Sequence, residues 1–345
     1  MARPRLRGLE AALLALTLLG AAGLPTSTLA QGQAAGAGGA VAAGASSAPG
    51  TAGAAPALRL CLAEDNAPLS YWAGGQARGL DVRIAEAVAA RLQRPLTLVP
   101  FETAFEKEST LTHEVNALLS SGVCEAAGGF PLLRDDLGAP SRPSARVPDH
   151  PGAPRRRERP YVPLGELVAS RAYLAAALGL VERVAAADAP PPSTTLGGFA
   201  AEGTRRLGVT TGTLAGSTAM LWRQGALKSR LVAVGQRDDL LAQLARPDAG
   251  FDAALVPLAL FDGWKRLHPQ APLAVSSWRR PIGVNLGFVS LQGRSDLQQA
   301  LDAVIAEALA SGQLARWATA EGVSYTPPTA PEVSRGPSLR ELAAD

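Results

Sequence analysis

From Leu58 onward the apolar residues switch repeatedly between two periods, and this alternation restricts the chain to an α/β fold. Leu58 to Leu62 has period-two character, as a strand with one buried face does. Leu80, Ile84, Val88 and Leu92 then recur every fourth residue, the apolar face of an amphipathic helix. Leu96 to Pro100 is strand-like, Leu111 to Leu119 helical and Cys124 to Phe130 strand-like again. Strand, helix, strand, helix, strand in this order implies right-handed βαβ units and a largely parallel sheet. A second α/β set follows, with strands over Leu207–Val209, Leu231–Val234, Phe251–Val256 and Ile282–Ser290. Helices are expected near Ser217–Trp222 and over Asp238–Leu244. A long one over Asp296–Trp317 is broken at Gly312. Two α/β lobes of similar size joined by extended segments predict a hinged cleft.

The flanks read differently. Arg3, Arg5 and Arg7, the apolar run Ala11–Leu24 and the small residues Thr28-Leu29-Ala30 have the layout of a cleavable secretory signal over 1–30. That run is shorter than the roughly 20 residues a membrane span needs, so the mature chain is expected in the periplasm. Residues 31–57, nearly all Ala, Gly, Ser and Pro, read as a flexible linker. Residues 326–345, with Pro327, Pro328, Pro331 and Pro337, read as a disordered tail. Between Ala139 and Arg159 the pattern dissolves into Pro, Arg, Ser and Gly, as in a long mobile polar loop ending in Arg155, Arg156 and Arg157. A net charge of +3, without a basic block interleaved with aromatics, does not suggest nucleic-acid binding.

With two Cys and three His, a zinc module or a disulfide-dense scaffold is excluded. Export permits a Cys61–Cys124 bridge, favoured here over two buried thiols. His113 and His268 have no nucleophile or metal spacing around them and read as surface residues. Asp135 and Asp136 point apart and read as a solvated loop. No metal, cofactor or catalytic set is expected.

In order along the chain stand Leu58-Arg59-Leu60, GLDVRIAEAVAARL (79–92), LLSSGVCEAAGGFPL (118–132), RPYVPLGELVASR (159–171), LGVTTGTLAG (207–216), FDAALVP (251–257) and the run 296–323. With this series the chain resembles the family 3 extracellular solute-binding proteins, receptors of many amino-acid ABC importers. The resemblance implies two Rossmann-like lobes with two crossovers, lobe 1 over 58–166 with 284–325 returning to it, and lobe 2 over 167–283. It implies a monomer that takes a small molecule between the lobes and works with an ABC permease.

The family's usual amino-acid partners depart here. Asp136 and Leu133 stand where an Arg and a Thr hold the ligand carboxylate, with Arg134 two residues early. Pro257 replaces the Asp that meets the ammonium, and Asn66 the stacking aromatic. Lobe 1 also looks like a branch associated with quinoprotein (PQQ) alcohol or methanol dehydrogenases, through Cys61, Asn66, Pro68 and Ser70, then Gly122, Cys124, Glu125, Gly129 and Pro131. That likeness implies an accessory role beside such a dehydrogenase or its cytochrome c. The expected ligand contacts are Asn66, Ser70, Phe130, Arg134, Thr211, Gly212 and Thr213, the last three able to cradle an anion at a helix start. Some relatives on this fold are enzymes, which leaves catalysis as a third possibility.

Overall fold

The computed structural model describes residues 55–102, 109–187, 191–192 and 194–344. The expected signal and residues 31–54 of the expected linker lie outside them. The first lobe begins with β1 (Leu58–Ala63) and a small meander of β2 (Asp65–Asn66), β3 (Ser70–Ala73) and β4 (Gln76–Arg78). It continues with α1 (Leu80–Leu92), β5 (Leu96–Phe101), α2 (Leu111–Ser120) and β6 (Ala126–Pro131). The paired strands β7 (Ser144–Arg146) and β8 (Tyr161–Pro163) and the short β9 (Leu167–Ala169) lead to β10 (Leu174–Arg183). The second lobe holds α3 (Leu196–Ala201), β11 (Leu207–Thr210), α4 (Leu214–Leu221), β12 (Leu231–Val234), α5 (Leu240–Ala245), β13 (Ala253–Pro257) and α6 (Leu258–Leu267). The long β14 (Leu273–Leu291) returns to the first lobe, α7 (Ser295–Ala310) and α8 (Gln313–Glu321) close it, and α9 (Leu339–Ala343) ends the chain. Gly312, at φ 69°, separates α7 from α8 as the break expected there.

One mixed sheet of nine strands runs through both lobes in the order β12-β11-β13-β10-β14-β6-β1-β5, with β9 also on β14. Within each lobe the strands expected to be parallel are so: β1 with β5 and β6, β11 with β12 and β13. The two crossovers, β10 and β14, are antiparallel to each other and fuse the halves. Their ladder slips twice, between Ala176 and Ala177 and again between Gly179 and Val181. Ala176 opposes Val284 but Ala177 opposes Pro281, so Ile282 and Gly283 are extra residues on β14. Gly283 has φ +75°, which a side-chain-bearing residue rarely adopts. A bulge of this kind interrupts pairing and bends the strand, and here it marks the hinge.

Both faces of the sheet are covered. In the first lobe α1, α7 and α8 bring Leu80, Ile84, Val88, Leu301 and Ile305 against Leu60 and Phe288, all fully buried. Each such side chain contributes roughly 1.5–3 kcal/mol by leaving water. On the opposite face α2 closes over Cys61, Cys124 and Phe130. The two cysteines form the expected disulfide, 5.7 Å between Cα atoms, tying β1 to the start of its neighbour β6. In the second lobe α5 and α6 cover one face, α3 and α4 the other.

Three expectations are corrected. The segment after Tyr325, expected to be loose, is packed along the hinge and both lobes: Ala175 N donates to Thr326 O at 2.9 Å, and Leu342 of α9 is buried where α9 meets α4. It finds backbone partners despite its prolines because it needs few N–H donors. The 139–159 loop is organised around the buried Arg159, whose guanidinium donates to Asp149, Pro154 O and Val147 O. A charged side chain with so many acceptors can be buried. His113 lies beneath that loop, 8 % exposed and not at the surface, held by Thr110 and Ser141 hydroxyls at 3.1 and 3.0 Å.

Candidate functional site

The two lobes face each other across the turn Asn66–Leu69 and the β13–α6 junction. The turn closes with a Leu69 N–H donating to Asn66 O at 2.9 Å and carries a cis Ala67–Pro68 bond. It is seated on α1, whose Asp81 N–H donates to Leu69 O at 2.9 Å. That approach requires Gly79 before the helix: φ is +118°, and a Cβ would lie 2.2 Å from Leu69 O. Across from the turn, Pro257 ends β13 and Leu258 starts α6. Between them lies a cavity of about 80 Å³, otherwise walled by the crossover residues Leu174–Ala177, Ile282 and Leu286. A few waters fit such a space, whereas pockets for drug-sized ligands begin near 300 Å³. The lining is almost wholly apolar, with Asp262 as its charged group.

Asp262 belongs to α6 of the second lobe but is held by the first. Its carboxylate accepts from Ser324 N at 2.7 Å and Ser324 Oγ at 2.6 Å, just beyond α8. Burial pushes its pKa up to about 6, against the lowering effect of the Ser324 bonds and of Arg279. Nearby, Arg266 of α6 stacks its guanidinium 3.6 Å from the centre of the Tyr71 ring on β3. Gly263 lets α6 approach the turn, since a Cβ there would stand 3.1 Å from Ala67 O. Three contacts from one helix therefore latch the lobes together beside the cavity.

The residues expected to bind ligand are dispersed. Asn66 lines the cavity. Ser70 is buried, and its hydroxyl donates to Ala63 O at 2.7 Å. Phe130 is 1 % exposed inside the first-lobe core, where it packs and presents no ligand surface. Its place in an alternating strand suited either face, and it falls on the face that α2 covers. Arg134 is exposed in a short 3-10 turn, its N–H donating to Ser334 O at 2.7 Å. In that turn Asp135 is exposed as expected, while Asp136 accepts from Thr112 Oγ1 at 2.6 Å.

The Thr211 hydroxyl donates to Val234 O at 3.3 Å, and Gln236 Nε2 covers the turn by donating to Thr211 O at 3.1 Å. Gly212 lies under that amide, at φ +69°. Thr213 caps α4, accepting from Gly216 N at 3.1 Å while donating to Thr210 O at 2.8 Å. None of these three lines the cavity. His268 is exposed, its ring stacked on Trp264.

A second buried carboxyl lies behind the turn. Asp81 is fully buried, accepts from the Tyr173 hydroxyl through Oδ1 and has no hydrogen-bond partner at Oδ2. Burial raises its pKa to about 7, only partly opposed by that hydrogen bond. Asp81, Asp262, Ser324 and Asn285, the last a buried amide on β14, were not singled out from the sequence. A carboxyl falling on an otherwise apolar helix face, as Asp262 does beside Leu258 and Phe261, is the signal that could have found one of them. Among the described residues no acidic, His or Cys cluster could hold a metal, and no helix is long and apolar enough to cross a membrane.

No family model matches the chain, and no curated protein matches it. Solved structures do match in fold. The second substrate-binding domain of GlnP from Lactococcus lactis, in its open conformation, superposes with TM-score 0.51 at 12 % identity, over 78 % of this chain and 96 % of that one. The second substrate-binding domain of a proposed amino acid ABC transporter from Streptococcus pneumoniae gives 0.51 at 12 %, over 77 % and 100 %. An ancestral cyclohexadienyl dehydratase gives 0.50 at 17 %, over 77 % and 92 %. The architecture is thus periplasmic-binding-protein-like, two α/β lobes on shared crossovers.

Proposed function

We propose that the chain is an exported receptor of the ABC-importer type that takes a small solute between its lobes and presents it to a permease. The observation that carries this reading is the hinge. Two antiparallel crossovers with a two-residue bulge join lobes that meet through a small apolar cavity, a few latching contacts and the C-terminal segment laid across both. Binding is favoured over catalysis because the carboxyl lining the cavity, Asp262, is already engaged by Ser324, where its two oxygens hold the lobes together. The solute is not a free α-amino acid. Pro257 and Asn66 line the cavity where a carboxylate and an aromatic ring would be needed, and Arg134 stands outside it. A charge-assisted hydrogen bond contributes roughly 1.5–3 kcal/mol, so two missing ones weaken a micromolar site to the millimolar range.

A thermal-shift and calorimetry panel of amino acids, amines, small acids and pyrroloquinoline quinone tests this. We expect a hit outside the α-amino acids, with none of those binding tighter than about 100 μM. Micromolar binding of any amino acid would overturn the ligand assignment. A panel without hits would favour the second reading, an accessory protein of a quinoprotein dehydrogenase, which rests on Cys61, Asn66, Pro68, Ser70 and the Gly122–Pro131 pattern. Co-purification with such a dehydrogenase or its cytochrome c is its readout.

A further inference from the structure

The segment after Thr326 is bound to the rest of the molecule in the manner of a peptide ligand. Asn285, 1 % exposed on β14, spends its whole side chain on it: Nδ2 donates to the carbonyls of Thr329, Glu332 and Pro331 at 2.8, 3.0 and 3.2 Å, and Oδ1 accepts from Thr329 N at 3.0 Å. Farther on, Ser334 N donates to Leu132 O at 3.1 Å and Arg134 N donates to Ser334 O at 2.7 Å, so the segment forms one parallel bridge with the chain just past the end of β6. The Ser334 hydroxyl donates to Gly283 O, in the hinge bulge itself. Arg280 then donates to the carbonyls of Glu341 and Ala344, and α9 lies on α4 of the second lobe. The path runs from the hinge, over the first lobe, onto the second.

Nearly all these bonds are to main-chain atoms. The side-chain anchors are Glu332, whose carboxylate accepts from Ala172 N at 2.9 Å and Arg171 at 3.1 Å, and the buried Leu342. Main-chain hydrogen bonds for affinity with a few side-chain anchors for choice are a recurrent way of holding extended peptides. The covered stretch, Leu132–Arg134, is also where the partners of a ligand carboxylate were expected. Each of these hydrogen bonds nets little against water, and besides Leu342 and Val333 the segment adds few apolar side chains to the core.

We propose that the face formed by Leu132–Arg134, Asn285 and Arg280 is a binding site for an extended, proline-containing peptide, and that residues 327–344 are its built-in occupant. The segment straps the hinge, and a competing ligand must displace it. This rests on reading the interlobe region as a ligand site. Because the tail competes at the millimolar effective concentration of a short tether, an external peptide is excluded until the tail is undocked.

The test uses a fluorescein-labelled synthetic peptide of residues 327–344, with a scrambled control, against the full chain and against a full chain carrying Ser334→Pro and Leu342→Asp. Both substitutions lie in the tail, outside either lobe's core. The expected result is peptide binding to the variant at least tenfold tighter than to the unaltered chain, and none by the scrambled control. Equal binding to both proteins, or no binding to a variant that still melts cooperatively, overturns the proposal. If the variant does not fold, hydrogen exchange on the unaltered chain decides: excess peptide speeding exchange at Ser334 and Leu342 supports the site, and amides there that exchange freely without it refute the strap. A solute that binds the unaltered chain and the variant equally would remove the gating and leave the receptor reading standing. Peptide exchange without any solute would do the reverse.

Discussion

Asp81 is a fully buried carboxyl whose proton couples to folding. Folded, it keeps its proton until about pH 7; unfolded, it loses it near 3.8. Between those values the folded chain holds more protons, so stability falls as pH rises from about 4 to 7 and is level above. Asp81→Asn keeps the acceptor for the Tyr173 hydroxyl and removes the charge. We expect the two proteins to melt alike near pH 4 and the variant to be more stable at pH 8. The raise sets an upper bound of about 4 kcal/mol on the gain, and thermal melts across this range read it. Ser324 acts in the opposite sense on Asp262. Ser324→Ala removes a donor that holds that pKa down, so the Asp262 carboxyl should titrate above about 6, followed by NMR, with a loss of about 1–3 kcal/mol in stability. Neither pair is legible in the sequence, because partners 92 and 62 residues apart meet only through the fold.

At the scale of elements, legibility followed periodicity. β1, α1, β5 and α2 stand close to where the apolar spacing puts them, since each buries one face against the same core. Two elements beside the cavity escaped. β10 reads LAAALGLVER, rich in the best helix former, yet lies at the centre of the sheet with neighbours on both sides; tertiary pairing overrides propensity there. α6 combines exposed Leu260 and Leu267 with buried Asp262, which blurs its stripe, and so the latch it carries stayed invisible. The disulfide was legible from two cysteines in adjacent strand-like runs. It closes a separation of 63 residues between β1 and β6, which on a loop-entropy argument stabilises by about 4 kcal/mol. Exported protein should show no alkylatable thiol before reduction, and reduction should lower the denaturant midpoint accordingly.

For the whole molecule, the tail and the hinge bulge were the parts least legible in the sequence, because they belong to no periodic pattern. Thr211, Gly212 and Thr213 have the composition of an anion cradle, but the two threonine hydroxyls serve the turn and the cap. The continuous sheet has a consequence for modular engineering. β10 and β14 stand between β13 and β6, so cutting the chain at the hinge to exchange one lobe would leave two raw strand edges with open N–H and C=O groups. Residues 174–283 expressed alone should therefore self-associate, read by light scattering, whereas a soluble monomer would contradict this. A graft that carries β10 and all of β14 with the transplanted lobe still strips β6 of a neighbour. A sheet shared in this way ties the two halves into one fabric: loops at the seam can change without opening a strand edge, whereas exchange of a whole half cannot.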